Sequence, residues 1–190
     1  MSLVAPRRVV IAGGPGSGKS TLLQALAESG EVCYEESSRV LIREQLAASG
    51  QLLPWADLWA FAQECSARMQ AQLKDSARHR LSFFDRGLPD LVGYLNHGGR
   101  SAPDSWRDVS RAAYAATVFF APPWREIFVN DRERPQSFAD AAALGAHIRR
   151  AYEDYRFHVV DLAKSSVDER RRQVLDYLQA HPHESSSWAN

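Results

Sequence analysis

The chain has 190 residues, of which 45% are hydrophobic, and its 23 lysines and arginines balance its 23 aspartates and glutamates. This length allows one domain with a substantial core, and the charge balance provides no general attraction for nucleic acid or an anionic membrane. The two cysteines do not have metal-binding spacing, and the sequence contains neither a run of 18 apolar residues nor a leader-like N-terminus. We therefore expect a cytoplasmic protein with no membrane or nucleic-acid partner.

The first predicted elements are a strand, a glycine-rich loop and a helix. Residues 8–12 form a short β-branched run that is typical of a buried parallel strand, and residues 21–27 carry leucines at helical spacing. The loop between them fits the phosphate-binding pattern G-x-x-x-x-G-K-[ST]. Its candidate phosphate-binding residues are Gly13, Gly14, Pro15, Gly16, Ser17, Gly18, Lys19, Ser20 and Thr21.

This loop predicts a binding site for a nucleoside triphosphate. Its glycines let the backbone form a ring of N–H groups without Cβ clashes, at the N-terminus of a helix whose dipole favours an anion. Lys19 would reach the β- and γ-phosphates, and the hydroxyl of Ser20 would bind Mg²⁺. The alternative is a flexible glycine-rich turn.

The middle of the chain alternates strands with helices. We predict strands at 31–35, 81–85 and 117–121, each ending in an acid or followed by prolines. Apolar residues at helical spacing predict the helices between the strands. These helices cover 38–49, a long segment from Pro54 to about 79, 88–95 and 104–115.

The last third of the chain begins with residues 122–137, which are rich in proline and arginine and which we predict to form a lid. Ser137 should cap a helix to about 156, and Ser166 should cap the last helix in a capping box with Glu169. Residues 158–162 form a fifth strand or extend the preceding helix. Residues 181–190 should be a flexible tail. The alternation predicts one α/β domain at 1–180, with a five-stranded parallel sheet flanked by helices on both faces.

Acidic residues end the second and third predicted strands, at the edge where such sheets bind ligands. Asp85 would hold Mg²⁺ together with Ser20, or would instead cap the following helix. Either Glu35 or Glu36 could accept the proton of a substrate hydroxyl as a general base, and we favour Glu36. The two glutamates could also be solvated, with Arg39 binding either a substrate anion or these acids.

Arginines of the predicted lid are candidates for stabilising charge on a transferred phosphoryl group. A lid that closes over the site would also exclude water. The alternative is an exposed loop whose arginines pair with neighbouring acids. The candidates are Arg125, Arg132 and Arg134.

Two further groups of residues have a simple structural interpretation. Trp55, Trp59 and Phe61 could line an acceptor pocket, although aromatic residues at helical spacing belong more often to a core. The arginine run at 170–172 is interpreted as a solvated helix face that pairs with acids on the same helix. We therefore assign neither group to the site.

With the phosphate loop, the two glutamates, the Asp-Arg-Gly run at 85–87 and the arginine-bearing segment, the chain resembles the P-loop kinase-like ATPases. It looks most like the bacterial AAA family ATPase group that contains the ribosylnicotinamide kinase domain of the NAD-regulatory protein, over about residues 8–179. This resemblance implies the three-layer P-loop NTPase fold with a kinase-like lid. Deoxynucleoside kinases are more distant relatives, and their pattern implies Glu36 as the base and Arg86 as a contact to the acceptor or the phosphates. Gly87 departs from the serine common in their pattern, which leaves room for a different acceptor.

Three classes of function are compatible with these residues. The first is a kinase that moves the γ-phosphate of Mg-ATP to a hydroxyl of a small metabolite, with nucleoside-like compounds among the candidates. Its catalytic residues would be Lys19, Glu36, Asp85, Arg86, Arg132 and Arg134. The second is a hydrolase of ATP or polyphosphate, and the third is a nucleotide-dependent regulatory module. The N-K-x-D motif of a GTPase switch is missing from the sequence.

Overall fold

A computed structural model describes residues 6–129 and 137–182. Its five strands are β1 (Arg7–Gly13), β2 (Cys33–Tyr34), β3 (Leu81–Asp85), β4 (Thr117–Ala121) and β5 (His158–Asp161). The α-helices of the described ranges are α1 (Lys19–Glu28), α2 (Ser37–Ala47), α3 (Leu58–Asp75), α4 (Leu88–His97), α5 (Ser105–Ala113), α6 (Phe138–Asp154) and α7 (Val167–Ala180). None of these helices is long and apolar enough to cross a membrane. Residues 130–136, with Arg132 and Arg134 of the predicted lid, and 183–190 of the predicted tail lie outside the described residues.

The strands form one parallel sheet in the order β2-β3-β1-β4-β5, which confirms the predicted α/β fold. Strand β1 lies at the centre, and its register places Ile11 beside Asp85 of β3. The carboxyl ends of parallel strands lie at the same edge of a sheet, where ligands bind. The strand order therefore brings the glycine-rich loop next to the acidic end of β3.

Apolar side chains cover both faces of the sheet, so that it is the middle of three layers. On one face Val9 and Phe83 pack with α1 and α7, and on the other Val10 and Phe84 pack with helices α2 to α6. Side chains of neighbouring strand residues point to opposite faces. Because both faces are buried, the strands have continuous apolar sequences without polar alternation.

The ends of the helices confirm some sequence signals and correct one. Ser137 and Ser166 each accept a hydrogen bond from the third residue of the following helix, so that both predicted caps are present. The prediction that Pro54 opens α3 is wrong, because Pro54 lies in a turn and the helix begins at Leu58. Asp57 caps this helix by accepting hydrogen bonds from the N–H groups of Trp59 and Ala60.

Helix α6 packs closely against both α4 and the glycine-rich loop. A Cβ atom on Gly93 of α4 would lie 2.5 Å from the Cα atom of Ile148, and one on Gly14 would lie 2.5 Å from the carbonyl oxygen of Ala141. These glycines let the two backbones approach α6 directly. The loop is therefore supported from one side by a helix that belongs to the core.

Candidate active site

The loop after β1 has the backbone geometry of an anion cradle. Gly13, Gly16 and Gly18 have φ values of 139°, 69° and 82°, which residues with a Cβ atom rarely adopt. Helix α1 begins directly after Gly18, and no side chain of the described residues caps its N-terminus. The first N–H groups of this helix therefore remain available to an anion.

Two side chains of the loop bind the same backbone carbonyl. The hydroxyl of Ser17 and the ammonium of Lys19 donate hydrogen bonds to the carbonyl oxygen of Gly14, at 2.8 and 2.7 Å. A cavity of about 270 Å³ opens over residues 15–21 and is also lined by Arg39 and residues 127–129. The predicted phosphate-binding residues from Pro15 to Thr21 thus surround one space, and their contacts to a phosphate stay predictions.

A hydroxyl and a carboxylate meet beside this loop. Ser20 Oγ donates a hydrogen bond to Asp85 Oδ2 at 2.8 Å, and Asp85 is only 4% exposed. Burial and the nearby charge of Glu36 raise the pKa of Asp85 above its usual value. Its Oδ1 atom has no hydrogen-bond partner among the described residues. Hard oxygen donors of this kind fit Mg²⁺, whose charge would further stabilise the ionised carboxylate.

Arg86 contacts three parts of the site, which are Glu36, the phosphate loop and the start of α4. Its side chain is completely buried, and its Nε atom lies 2.9 Å from Oε1 of Glu36. Its Nη1 atom donates hydrogen bonds to the carbonyl oxygen of Gly13 at 2.8 Å and to Asp90 Oδ1 at 3.0 Å. These contacts are all with protein groups, and a contact of Arg86 with the acceptor or the phosphates stays a prediction.

The two glutamates after β2 lie in different environments. Glu36 is 4% exposed and also accepts a short hydrogen bond from Ser38, whereas the side chain of Glu35 is 71% exposed and pairs with Arg43 at 3.4 Å. Both line a second cavity of about 330 Å³. This cavity also contacts Ser20, Arg39 and Asp85. A buried carboxylate, the candidate magnesium ligands and a cation therefore share one space.

The glycine after Arg86 has a steric explanation. A Cβ atom on Gly87 would lie 3.1 Å from the hydroxyl of Tyr152 and 3.2 Å from the ring of Tyr114. Tyr152 donates a 2.6 Å hydrogen bond to Asp90 Oδ2, which also accepts one from the backbone N–H of Gly87 at 2.9 Å. Two tyrosines thus leave little room for a side chain at this position.

The described start of the predicted lid lies against the phosphate loop. The ring of Phe128 lies 2.5 Å from the position that a Cβ atom on Gly16 would take. Arg125 is exposed and stacks over the ring of Phe138 with its guanidinium carbon 4.4 Å from the ring centre. A contact between Arg125 and a phosphate stays a prediction.

The aromatic residues considered for an acceptor pocket lie elsewhere. Phe61 belongs to the core, Trp59 packs against the core, and Trp55 is 59% exposed. None of them lines either of the two cavities beside the loop. Their placement is therefore that of core and surface residues.

The sequence interpretation missed one residue of the site. Arg170 on α7 is only 2% exposed, and its Nη1 atom donates a hydrogen bond to the carbonyl oxygen of Ser17 at 3.1 Å. The interpretation of the arginine run as a solvated face is therefore wrong for this residue. One signal was available, because Arg170 precedes the buried residues Val174 and Leu178 by one and two helical turns.

The fold and site define a class of protein. A parallel sheet with β1 at its centre, followed by a glycine-rich phosphate loop and a lysine at the start of a helix, is the architecture of the P-loop proteins that bind nucleoside triphosphates. The sequence matches a family described as an AAA domain over residues 8–170. The chain therefore belongs to this AAA domain family. A comparison with curated proteins found no match.

Solved structures of small-molecule kinases share this fold. A deoxyadenosine kinase from M. mycoides with bound dATP has a TM-score of 0.65 at 14% identity, over 91% of this chain and 99% of that chain. A shikimate kinase from Acinetobacter baumannii has a TM-score of 0.62 at 13% identity, over 95% and 97% of the two chains. A thymidylate kinase from Candida albicans has a TM-score of 0.60 at 14% identity, over 95% and 94%. At this identity the matches show a common fold, and the narrower resemblance to the ribosylnicotinamide kinase group stays a prediction.

Proposed function

We propose that the protein transfers the γ-phosphoryl group of Mg-ATP to a hydroxyl group of a small metabolite. The observation that carries this proposal is the cavity in which Glu36, Ser20, Asp85 and Arg39 meet directly beside the phosphate loop. Phosphoryl transfer needs positioned phosphates, neutralised charge and an oriented acceptor. This cavity combines groups suited to each of those tasks.

The loop and its lysine would bind the triphosphate. Backbone N–H groups at the start of α1 would hold the phosphate oxygens, and Lys19 would exchange its bond to the carbonyl of Gly14 for a bond to the phosphates. Ser20 and Asp85 would hold Mg²⁺, which neutralises charge on the β- and γ-phosphates. Arg39 lines both cavities and would stabilise the charge of the group in transfer.

Glu36 would act as the general base. The ion pair with Arg86 and the hydrogen bond from Ser38 hold its carboxylate in one orientation. As the acceptor oxygen forms its bond to the γ-phosphorus, the bond between that phosphorus and the leaving oxygen of ADP breaks, and Glu36 takes the hydroxyl proton. We propose that Arg132 and Arg134 of the lid contact the same phosphoryl group and that the closed lid excludes water.

The volume of the cavity favours a small acceptor. About 330 Å³ lies at the lower end of the range of ligand pockets, which is roughly 300–1,000 Å³. Nucleosides, other ribosides and hydroxy acids all remain within this class. The acceptor must present its hydroxyl group close to Glu36 and to the γ-phosphate.

The test is ATP consumption by the purified protein with Mg²⁺, alone and with a panel of nucleosides, ribosides and hydroxy acids. We expect one compound to raise turnover by orders of magnitude and to be recovered in phosphorylated form. Lys19→Ala serves as the control, since it removes the main phosphate-binding cation. Equal turnover with every compound, with phosphate released to water, would contradict the kinase proposal and favour a hydrolase.

A further inference from the structure

Arg170 is a buried cation without a counter-ion in the described part of the chain. Its Nη1 atom binds the carbonyl oxygen of Ser17, but its Nε and Nη2 atoms have no hydrogen-bond partner there. None of the ion pairs among the described residues includes Arg170, whereas its neighbour Arg171 pairs with Asp168 at 3.5 Å. Among the described residues its guanidinium also lies over the ring of Trp124, with the guanidinium carbon 5.8 Å from the ring centre.

Burying the unpaired guanidinium of Arg170 is energetically unfavourable when no anion is bound nearby. A buried charge loses its hydration, and a fold normally compensates this loss with an opposite charge or with a full set of hydrogen bonds. Burial accordingly lowers the pKa of Arg170 below its usual value. The residue thus costs stability in the absence of an anion, and its placement calls for one.

The guanidinium lies directly behind the phosphate loop. A Cβ atom on Gly18 would be 2.7 Å from Nη1 of Arg170, and Gly18 lines the 270 Å³ cavity. In a trans peptide the carbonyl and the N–H group point in opposite directions, and the described chain contains no cis peptide bond. By holding the carbonyl of Ser17 from the side of α7, Arg170 turns the N–H group of Gly18 away from α7.

We propose that Arg170 is a positioning residue for polyphosphate binding. It orients the peptide between Ser17 and Gly18 so that the N–H group of Gly18 is a donor in the cradle. The bound polyphosphate provides the counter-charge for the guanidinium of Arg170. This inference rests on the phosphate-binding part of the proposed function and adds a residue that its motif does not contain. The ligand class is a linear polyphosphate, either inorganic or carried by a nucleoside.

The proposal predicts effects of opposite sign on stability and on binding. Arg170→Met removes the buried charge at similar volume, so that the melting temperature of the ligand-free protein should stay unchanged or rise. The same change removes the support of the peptide and the cation behind the cradle, so that binding should weaken. A merely structural arginine would give the reverse result, with a lower melting temperature and unchanged affinity of the folded protein.

The experiment measures binding of Mg-ATP and of inorganic tripolyphosphate by calorimetry, and the melting temperature without ligand. It compares the wild type with Arg170→Met and Arg170→Lys, and uses Arg171→Met on the same helix as the matched control. We expect Arg170→Met to weaken both ligands at least tenfold relative to the control, without a lower melting temperature. Arg170→Lys should recover most of the affinity, because it keeps the positive charge and a donor for the carbonyl oxygen of Ser17.

Three results would overturn the inference. They are an affinity of Arg170→Met within twofold of the control, a ligand-free melting temperature clearly below that of the control, and a lysine variant no better than the methionine variant. The proposed function fails separately. A wild type that binds both ligands but transfers no phosphoryl group to any acceptor contradicts the kinase proposal and leaves the role of Arg170 intact.

Discussion

Buried charged side chains dominate the candidate site at the scale of single residues. Lys19, Asp85, Arg86 and Arg170 are each at most 4% exposed. A low local dielectric strengthens their interactions with one another and with a charged ligand, and it also makes every incomplete pairing costly. Neutralising these side chains should therefore change ligand binding, and at Asp85 it should also change how stability depends on pH.

Neutralising Asp85 should stabilise the ligand-free protein. Its pKa is raised, mainly by burial and then by Glu36, with Lys19 and Arg86 acting in the opposite direction. The folded protein then holds a proton that the unfolded chain has lost, so stability falls as pH rises from about 4 through the raised pKa and stays lower above it. We expect Asp85→Asn to melt a few degrees higher than the wild type at pH 7–8, and this gain to shrink as pH approaches 4.

Calorimetric melting temperatures between pH 4.5 and 8 test this expectation. Asp176→Asn on the exposed side of α7 is the matched control and should change the melting temperature little at any pH. The same Asp85 variant should lose Mg²⁺-dependent nucleotide binding. A melting temperature of Asp85→Asn below that of the wild type at neutral pH would contradict the argument.

Glu36→Gln should separate binding from transfer. Loss of a general base slows a reaction by about 10²–10⁴-fold, whereas the loop, Lys19 and Ser20, which we propose to bind Mg-ATP, are unchanged. Breaking the buried pair with Arg86 should also cost about 3–5 kcal/mol of stability, so rates must be measured well below the melting temperature of the variant. Glu35→Gln, at the exposed neighbour, should affect transfer far less. A normal rate for Glu36→Gln would remove it as the base.

The sequence predicts those site residues whose pattern is local. The loop glycines, Lys19 and Ser20 occur within one short motif, and the strand-end position of Asp85 follows from the apolar run before it. Arg86 and Arg170 bind loop carbonyls 73 and 153 residues away in the chain. Their contacts depend on how the helices and strands pack, and the spacing of Arg170 to Val174 and Leu178 indicates its burial but not its partner.

At the scale of elements, the capping signals predict the starts of α6 and α7 correctly, whereas Pro54 does not predict the start of α3. The serine caps of α6 and α7 depend on bonds within four residues, which the sequence contains in full. Pro54 is compatible with the first turn of a helix but also with the turn in which it lies, and Asp57 makes the cap that decides the boundary. Strand β2 extends only over Cys33–Tyr34, less than the predicted 31–35, because strand ends depend on the pairing partner β3.

The close contact between α4 and α6 depends on one glycine. A methyl group on Gly93 would be 2.5 and 2.7 Å from the backbone Cα and N atoms of Ile148, which cannot move like a flexible side chain. Overpacking of this kind costs about 1–3 kcal/mol. We expect Gly93→Ala to lower the melting temperature, by roughly 2–4 °C for each kcal/mol in a chain of this size.

Gly145→Ala in α6 is the matched control for this substitution. A Cβ atom there would have no neighbour closer than 3.5 Å, and alanine gains up to about 1 kcal/mol over glycine within a helix. Its melting temperature should be equal to or above that of the wild type. Equal melting temperatures for the two alanine variants would show that the α4 and α6 backbones can separate without cost.

At the scale of the whole molecule, ligand binding should stabilise the fold. A ligand that binds only the folded state adds about 2.7 kcal/mol at 100 times its Kd, which corresponds to roughly 5–10 °C for this chain length. We expect Mg-ATP to raise the melting temperature by this amount in differential scanning calorimetry. Chelation of Mg²⁺ should remove most of the increase, and an equal increase in Lys19→Ala would show that the nucleotide binds elsewhere.

The long-range bonds of the phosphate loop have a consequence for the order of folding during synthesis. The loop is made before both of its supports, because the carbonyl of Gly13 is held by Arg86 and that of Ser17 by Arg170, 73 and 153 residues further along the chain. An emerging chain carries the motif long before it carries these supports. Tight capture of a nucleotide would then wait until α7 has docked against the loop.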